Sequence, residues 1–359
     1  MRKRTIVLSI ILVGMLVVPS LSTASLSIVP KNDFTLKTVR EQRLRDIQNH
    51  FPIITPPGLY HTYDEMTALL QGLATDHSDI MSVTSIGKTY EGRELWMVKL
   101  SDNVNQQENE PELLFMGAHH GNEKPSYEVL IYFIQYMVEH YDNSSVGEVQ
   151  DAINNTQIYV LPMVNPDGVE AGTRKNRVSN HGSFGFQTEI TSIGVDLNRN
   201  YGYRWFLFYL LPFLYIPTTS NFDRSDSYRG KQPFSENETQ TIRQFVDTHN
   251  ITISISYHTY GELILYPWGY TLIPPKDKPV FVSIGENISN INHYTLAQAI
   301  NLYPTLGDAC DWMYGTRGVL AYTIELGDSF VPSDPDVLQE MYLLHTNVNL
   351  YVCQRAQLL

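Results

Sequence analysis

The tightest constraint on this chain's fold is a strand, a turn and a helix compressed into residues 113–141. Leu113-Leu114-Phe115-Met116 is an apolar run that predicts a buried strand, and Pro125 to Tyr141 has the periodicity of an amphipathic helix. Between them stands Gly117-Ala118-His119-His120-Gly121-Asn122-Glu123. His120 and Glu123 are thereby placed on a short connection at a strand's C-terminal end, where open α/β sheets put their ligand sites. One imidazole and one carboxylate at this spacing can reach a single cation, and zinc accepts such a nitrogen and oxygen pair. By itself the pair also fits a solvated surface turn.

Two more segments bear on that choice. Ile251 to His258 is a β-branched run that predicts a second buried strand ending on a histidine, a candidate third ligand. A hydrolytic zinc site needs three protein ligands and one open position for water. Tyr322-Thr323-Ile324-Glu325-Leu326 predicts a third apolar strand interrupted by one acid. A carboxylate there is costly unless paired or functional, so Glu325 is a candidate base. A satisfied core histidine and a glutamate bonded to backbone are the plainer readings of the same residues. Apolar strands alternating with helices, with ligands at strand ends, predict a three-layer α/β/α domain.

Together these motifs resemble the M14 family of zinc metallocarboxypeptidases, with a motif pattern like that of carboxypeptidases T and A. The pattern continues through Asn165-Pro166-Asp167-Gly168, Arg174-Lys175-Asn176-Arg177 and Gly194-Val195-Asp196-Leu197-Asn198-Arg199-Asn200. It runs on from His258-Thr259-Tyr260-Gly261-Glu262 to Tyr270-Thr271 and closes with Tyr303, Asp311-Trp312 and Glu325. It extends from about Leu59 to near the C-terminus. The resemblance implies a mixed, roughly eight-stranded twisted sheet. It also implies one Zn2+ held by His120, Glu123 and His258, a zinc-bound water as nucleophile, and Glu325 as general base. Arg174 would then stabilise the oxyanion, although spacing alone puts it in a solvated basic cluster with Lys175 and Arg177. Asn198 and Arg199 would grip the terminal carboxylate of a peptide or protein, the contact that makes an exopeptidase. Tyr303 would cap the bound terminus; as one of 23 tyrosines it also reads as a packing residue.

By the same resemblance Gly269, Asp308 and Cys310 line the pocket for the last side chain. A small, soft hydrophobe at Cys310 favours large apolar or aromatic residues. Asp308, if not simply a turn residue after Gly307, would tolerate Lys and Arg, so a dual preference is expected. One departure stands out: carboxypeptidases A and T carry arginine between the first two ligands, and this chain has Asn122. Relatives that act on peptidoglycan stem peptides or glutamate tails are a second reading, and a catalytically inactive binding protein a third.

The rest of the chain bounds these expectations. Arg2, Lys3 and Arg4, an apolar core from Ile6 to Val18 and Ser-Thr-Ala before Ser25 predict a signal peptide over 1–24, hence secretion. Residues 25–57 are polar and read as an N-terminal arm, spacer or short pro-segment, with the catalytic domain over 58–359. Five Asn-x-Ser/Thr sequons fit a secreted chain. Two cysteines make no disulfide framework, and free thiols are expected. A formal charge of −13 argues against nucleic acid as a partner. Finally, Trp205 to Pro217 is thirteen residues without a charge, too short to cross a bilayer. It is expected to be an exposed membrane-surface or self-association contact near the cleft mouth.

Overall fold

In the computed structural model, residues 58–177, 194–207 and 218–359 are described. The expected signal peptide and N-terminal arm therefore lie outside the described residues, as does most of the uncharged segment after Trp205.

Eight strands form one sheet: β1 (Met81–Lys88), β2 (Glu94–Leu100), β3 (Glu112–Met116), β4 (Gln157–Leu161), β5 (Ile251–Thr259), β6 (Leu263–Tyr266), β7 (Thr295–Gln298) and β8 (Leu320–Leu326), in the order β1-β2-β4-β3-β5-β8-β6-β7. The central β4-β3-β5-β8 block is parallel, and the pairs β1–β2, β2–β4 and β6–β8 are antiparallel. The mixed, eight-stranded sheet implied by the resemblance is what forms. Every residue of β3 and β4 is buried, as befits parallel strands covered on both faces.

Side chains alternate across the sheet. Leu114 and Met116 join a core with Ile242 and Val246 of α5 (Asn237–Thr248) and Trp312 and Met313 of α7 (Ala309–Arg317). Phe115 points the other way and meets Phe133 of α2 (Pro125–His140) edge to face, centroids 5.6 Å apart. On that side α2 packs against the long α8 (Pro335–Ala356), which also covers α6 (Lys278–Asn292) and α3 (Gly147–Asn155). The layers are completed by α1 (Tyr63–Asp76) and the short α4 (Pro166–Ala171).

One expectation changes here. In α2 only Tyr136 and Glu139 escape burial, so the helix is sandwiched rather than amphipathic, because α8 covers the flank that would otherwise meet water. Its buried Glu128 is paired with His61 at 2.9 Å.

Parallel pairing aims the C-terminal ends of β3, β5 and β8 at one edge of the sheet. His258 and Glu325 are direct neighbours in the β5–β8 register. Both cysteines are free and buried, and Cys310 Sγ lies 3.1 Å from Thr323 Oγ1. Among the described residues no helix is long and apolar enough to cross a membrane.

The uncharged segment is anchored rather than presented at its start. Trp205 is 1% exposed beneath the Arg229 guanidinium, 3.6 Å from the ring centroid, and its carbonyl accepts from Arg229 Nη1 at 2.8 Å. Burying the indole against a cation accounts for this correction. Phe206 is 59% exposed; residues 208–217 lie outside the described set.

Candidate active site

The loop after β3 is shaped by close approach. A Cβ on Gly121 would come within 2.0 Å of the Gly168 carbonyl carbon, so only glycine lets the loop lie against α4. Ala118 sits at φ 50°, a left-handed conformation that costs an alanine about 1–3 kcal/mol. These turns bring His120 and Glu123 over the end of β5.

The donor atoms then converge. His120 Nδ1 is 2.7 Å from Glu123 Oε1, His258 Nδ1 is 2.9 Å from Glu123 Oε2, and the two Nδ1 atoms are 3.2 Å apart. Each residue offers one ligand atom, and all three atoms lie within 4.8 Å of one another. All three side chains are buried. Burial alone would push the Glu123 carboxyl up, but the two imidazoles outweigh it and hold it below the usual range. Two nitrogens and one carboxylate oxygen leave one position of a tetrahedron open, the donor set of a hydrolytic zinc site.

A second layer orients that set. Asp196 Oδ1 lies 3.1 Å from His120 Nε2, while Oδ2 accepts from Arg174 Nε at 2.9 Å. Burial opposes ionisation of Asp196, yet Arg174, His120 and Arg199 hold its carboxyl well below normal. Arg174 Nη1 is 3.6 Å from Glu123 Oε1, so this guanidinium belongs to the centre and not to a solvated cluster. Burial disfavours its charge, but Asp196 and Glu123 more than compensate and secure it. Carboxylate partners of this kind fix the ring orientation and proton position of a ligating histidine.

Glu325 comes from β8 and is 8% exposed. Burial pushes its carboxyl up to about 7, against the neighbouring His258 and with Glu123. Arg199 is buried, its Nε donating to the Thr218 carbonyl at 2.6 Å and its Nη1 to that of Asn198 at 2.7 Å. Asn198 differs from the expectation of a free substrate grip: Nδ2 is 3.3 Å from His258 Nε2, and Oδ1 accepts from Ala309 N–H at 3.0 Å. Tyr303 is 36% exposed, with Arg199, Glu325 and Arg174 among the charges acting on its hydroxyl.

The remaining expected residues gather at the start of α7. Asp308 is its N-cap, with Oδ1 accepting from Asp311 N–H at 2.8 Å and Oδ2 from the Thr305 hydroxyl at 3.1 Å. The Asp311 carboxylate accepts from Gly269 N–H at 3.0 Å. Burial, and then Asp308, push the Asp311 carboxyl well above its ordinary value. A Cβ on Gly269 would meet Thr305 Oγ1 at 2.3 Å, so glycine lets the chain pack closely against Thr305 here.

The family model for zinc carboxypeptidases (peptidase M14) matches residues 66–347. The chain belongs to that family. A zinc carboxypeptidase of Saccharothrix mutabilis subsp. capreolus is 31% identical over 313 residues, covering 82% of this chain and 69% of the relative. Carboxypeptidase B of Astacus astacus is 30% identical over 280 residues, 75% of this chain and 87% of the relative. The solved carboxypeptidase A of Helicoverpa armigera shares the fold, with TM-score 0.71 and 24% identity over 90% of this chain and 80% of its own. This zinc carboxypeptidase is therefore a peptide hydrolase that uses one catalytic zinc and acts on peptide C-termini.

Sequence reasoning passed over three residues. Asp196 sits inside the Gly194–Asn200 motif with no role of its own, although an acid between two arginine-bearing segments is a signal for a shared counter-ion. Asp311 enters the sequence pattern only as part of Asp311-Trp312, with no role attached. Ser256, two residues before His258 on the same strand face, carried no signal apart from its parity.

Proposed function

We propose that this carboxypeptidase is exported, uses Glu325 as general base and Arg174 as oxyanion stabiliser, and prefers large apolar C-terminal residues with Lys and Arg as second choice. The observation that supports the catalytic part is the convergence of three metal donors, a buried glutamate and a guanidinium on one sheet edge. When bound, zinc lowers the pKa of a coordinated water toward about 7 and polarises the substrate carbonyl.

The protein's own groups supply the rest. Arg199, tied on two nitrogens to backbone carbonyls, receives the terminal carboxylate with little ordering left to do. Tyr303 closes over it. Arg174, locked to Asp196, points charge at the scissile carbonyl where negative charge develops. Glu325 takes a proton from water and returns one to the leaving amine; burial raises its carboxyl above the ordinary range, which favours the return of the proton.

Selectivity follows from the α7 terminus. Cys310 and Gly269 give an uncharged wall. The Asp308 charge is largely spent on capping α7, so a basic side chain gains less from it than from a free carboxylate. No basic group stands beside Cys310 or Asp308 among the described contacts to receive a glutamate, which disfavours the peptidoglycan and glutamate-tail reading. Matched acyl-dipeptides ending in Phe, Leu, Arg and Glu test this: kcat/KM should rank Phe and Leu first, Arg next and Glu last. A best rate on Glu would overturn the pocket assignment.

Export rests on residues 1–24 and is tested by N-terminal sequencing of protein recovered from the medium, which should begin at or after Ser25. Exposed Phe206 supports an apolar contact near the cleft rim, because Thr218, at the far end of that segment, holds Arg199. Deleting Phe206 to Ile216 should reduce vesicle binding or self-association and leave hydrolysis of small dipeptides intact; unfolding would sink that idea.

A further inference from the structure

The two histidine ligands are held differently, and the difference assigns a role to residues the reaction does not itself use. A histidine that offers Nδ1 to a metal must carry its proton on Nε2, and that proton needs an acceptor. For His120 the acceptor is Asp196. For His258, two groups lie near Nε2: Asn198 Nδ2 at 3.3 Å and Ser256 Oγ at 3.2 Å. Asn198 Oδ1 is already taken by Ala309 N–H, so the amide turns its nitrogen, a donor, toward the ring. Among the described residues that leaves Ser256 Oγ to accept the proton.

A serine hydroxyl that accepts must send its own hydrogen elsewhere, and His119 Nδ1 is 3.0 Å away. His119 then carries its proton on Nε2, which faces the Tyr201 hydroxyl at 2.9 Å. His119 also stacks on His258, centroids 5.7 Å apart and planes at 17°. Ser256, His119 and Tyr201 are each 1% exposed or less, so water does not compete for these bonds.

We infer that Ser256 and His119 are positioning residues for the metal centre, a neutral buried relay that fixes the proton of His258 on Nε2 and so presents Nδ1 to zinc. The inference rests on the assignment of His120, Glu123 and His258 as the zinc ligands. Outer partners of this kind are worth roughly 10–100-fold in metal affinity.

The test measures zinc affinity by chelator competition, with thermal unfolding of the metal-free proteins as the check on folding. Binding of one zinc by the wild type and its loss in His258→Ala test the ligand assignment by themselves. Ser256→Ala should then bind zinc about 10–100-fold more weakly, and Ser256→Thr, which keeps the hydroxyl, within a few-fold of wild type. Ser254→Ala is the control, because that serine bonds the Leu114 carbonyl and has no link to the ligands; its zinc affinity should be unchanged. If Ser256→Ala does not fold, His119→Gln, which retains an acceptor for the hydroxyl, and His119→Leu give the same contrast. In zinc-loaded wild type, imidazole 15N–1H spectra should show the His258 Nε2 proton protected from exchange, and Ser256→Ala should lose that protection. Equal zinc affinity in wild type and Ser256→Ala, or an equal loss in Ser254→Ala, would overturn the relay.

Discussion

The two ends of the cleft handle buried acid in opposite ways. At the metal end every carboxylate faces cations or imidazoles: Glu123 touches His120, His258 and Arg174, and Asp196 is shared by His120 and Arg174. At the α7 end Asp308 and Asp311 face each other and are held by backbone N–H groups and the Thr305 hydroxyl. Opposite charge keeps Glu123 and Asp196 ionised, whereas burial beside a like charge favours the neutral form of Asp311. The metal end is thus built to hold fixed charge, and the pocket end to keep little. Glu325 lies between these regimes: burial, as at Asp311, pushes its carboxyl up to about 7, while His258, as at Glu123, pulls the other way.

That contrast can be broken at several points. The largest effect belongs to Glu325: its replacement by Gln should cut kcat at least about 10³-fold while bound zinc stays at one per chain. Retained turnover would remove the base from this account. The sign of its pH dependence also follows. In the proposed role the ionised form is the base, so kcat/KM falls as pH falls through the Glu325 pKa; a divalent cation beside the carboxylate lowers that pKa, so the acid limb should lie below about 7 in the zinc-loaded enzyme. An acid limb above 7 would point to another group.

Next in size, Asp196→Asn should weaken zinc about 10–100-fold, because the paired end loses the charge shared by His120 and Arg174. Unchanged affinity in a chelator competition would show that the pairing is ornamental to the metal. Smaller again, converting a substrate's terminal carboxylate to an amide should lower kcat/KM at least about tenfold, the worth of one charged hydrogen bond to Arg199. The smallest expected effect sits at the pocket end, where Asp308→Asn should shift the Arg-to-Phe preference only a few-fold toward Phe, since the cap geometry already spends most of that charge. A shift of more than about 30-fold would mean that Asp308 is a specificity acid in its own right.

The same contrast governs what the sequence discloses. His120, Glu123, His258 and Glu325 each close an apolar strand or follow one, so the sheet's own periodicity marks them and their parallel ends bring them together. Arg174 and Arg199 carried no such mark and emerged only through the motifs around them. The proposed pocket would draw on Gly269, Thr305, Asp308, Cys310, Asp311 and Thr323, which come from two loops, one helix and one strand, so no single spacing encodes it. Helix α2 shows the limit from the other side, because whether its outer face is wet depends on α8, which begins at Pro335.

The most direct test of the central claim is metal content followed through activity. Purified enzyme should carry one zinc per chain, lose hydrolysis of an acyl-dipeptide ending in Phe when the zinc is chelated, and recover it on return of one equivalent. His258→Ala should neither hold zinc nor recover. Full activity in the metal-free protein, or restoration in His258→Ala, would contradict a centre built from His120, Glu123 and His258.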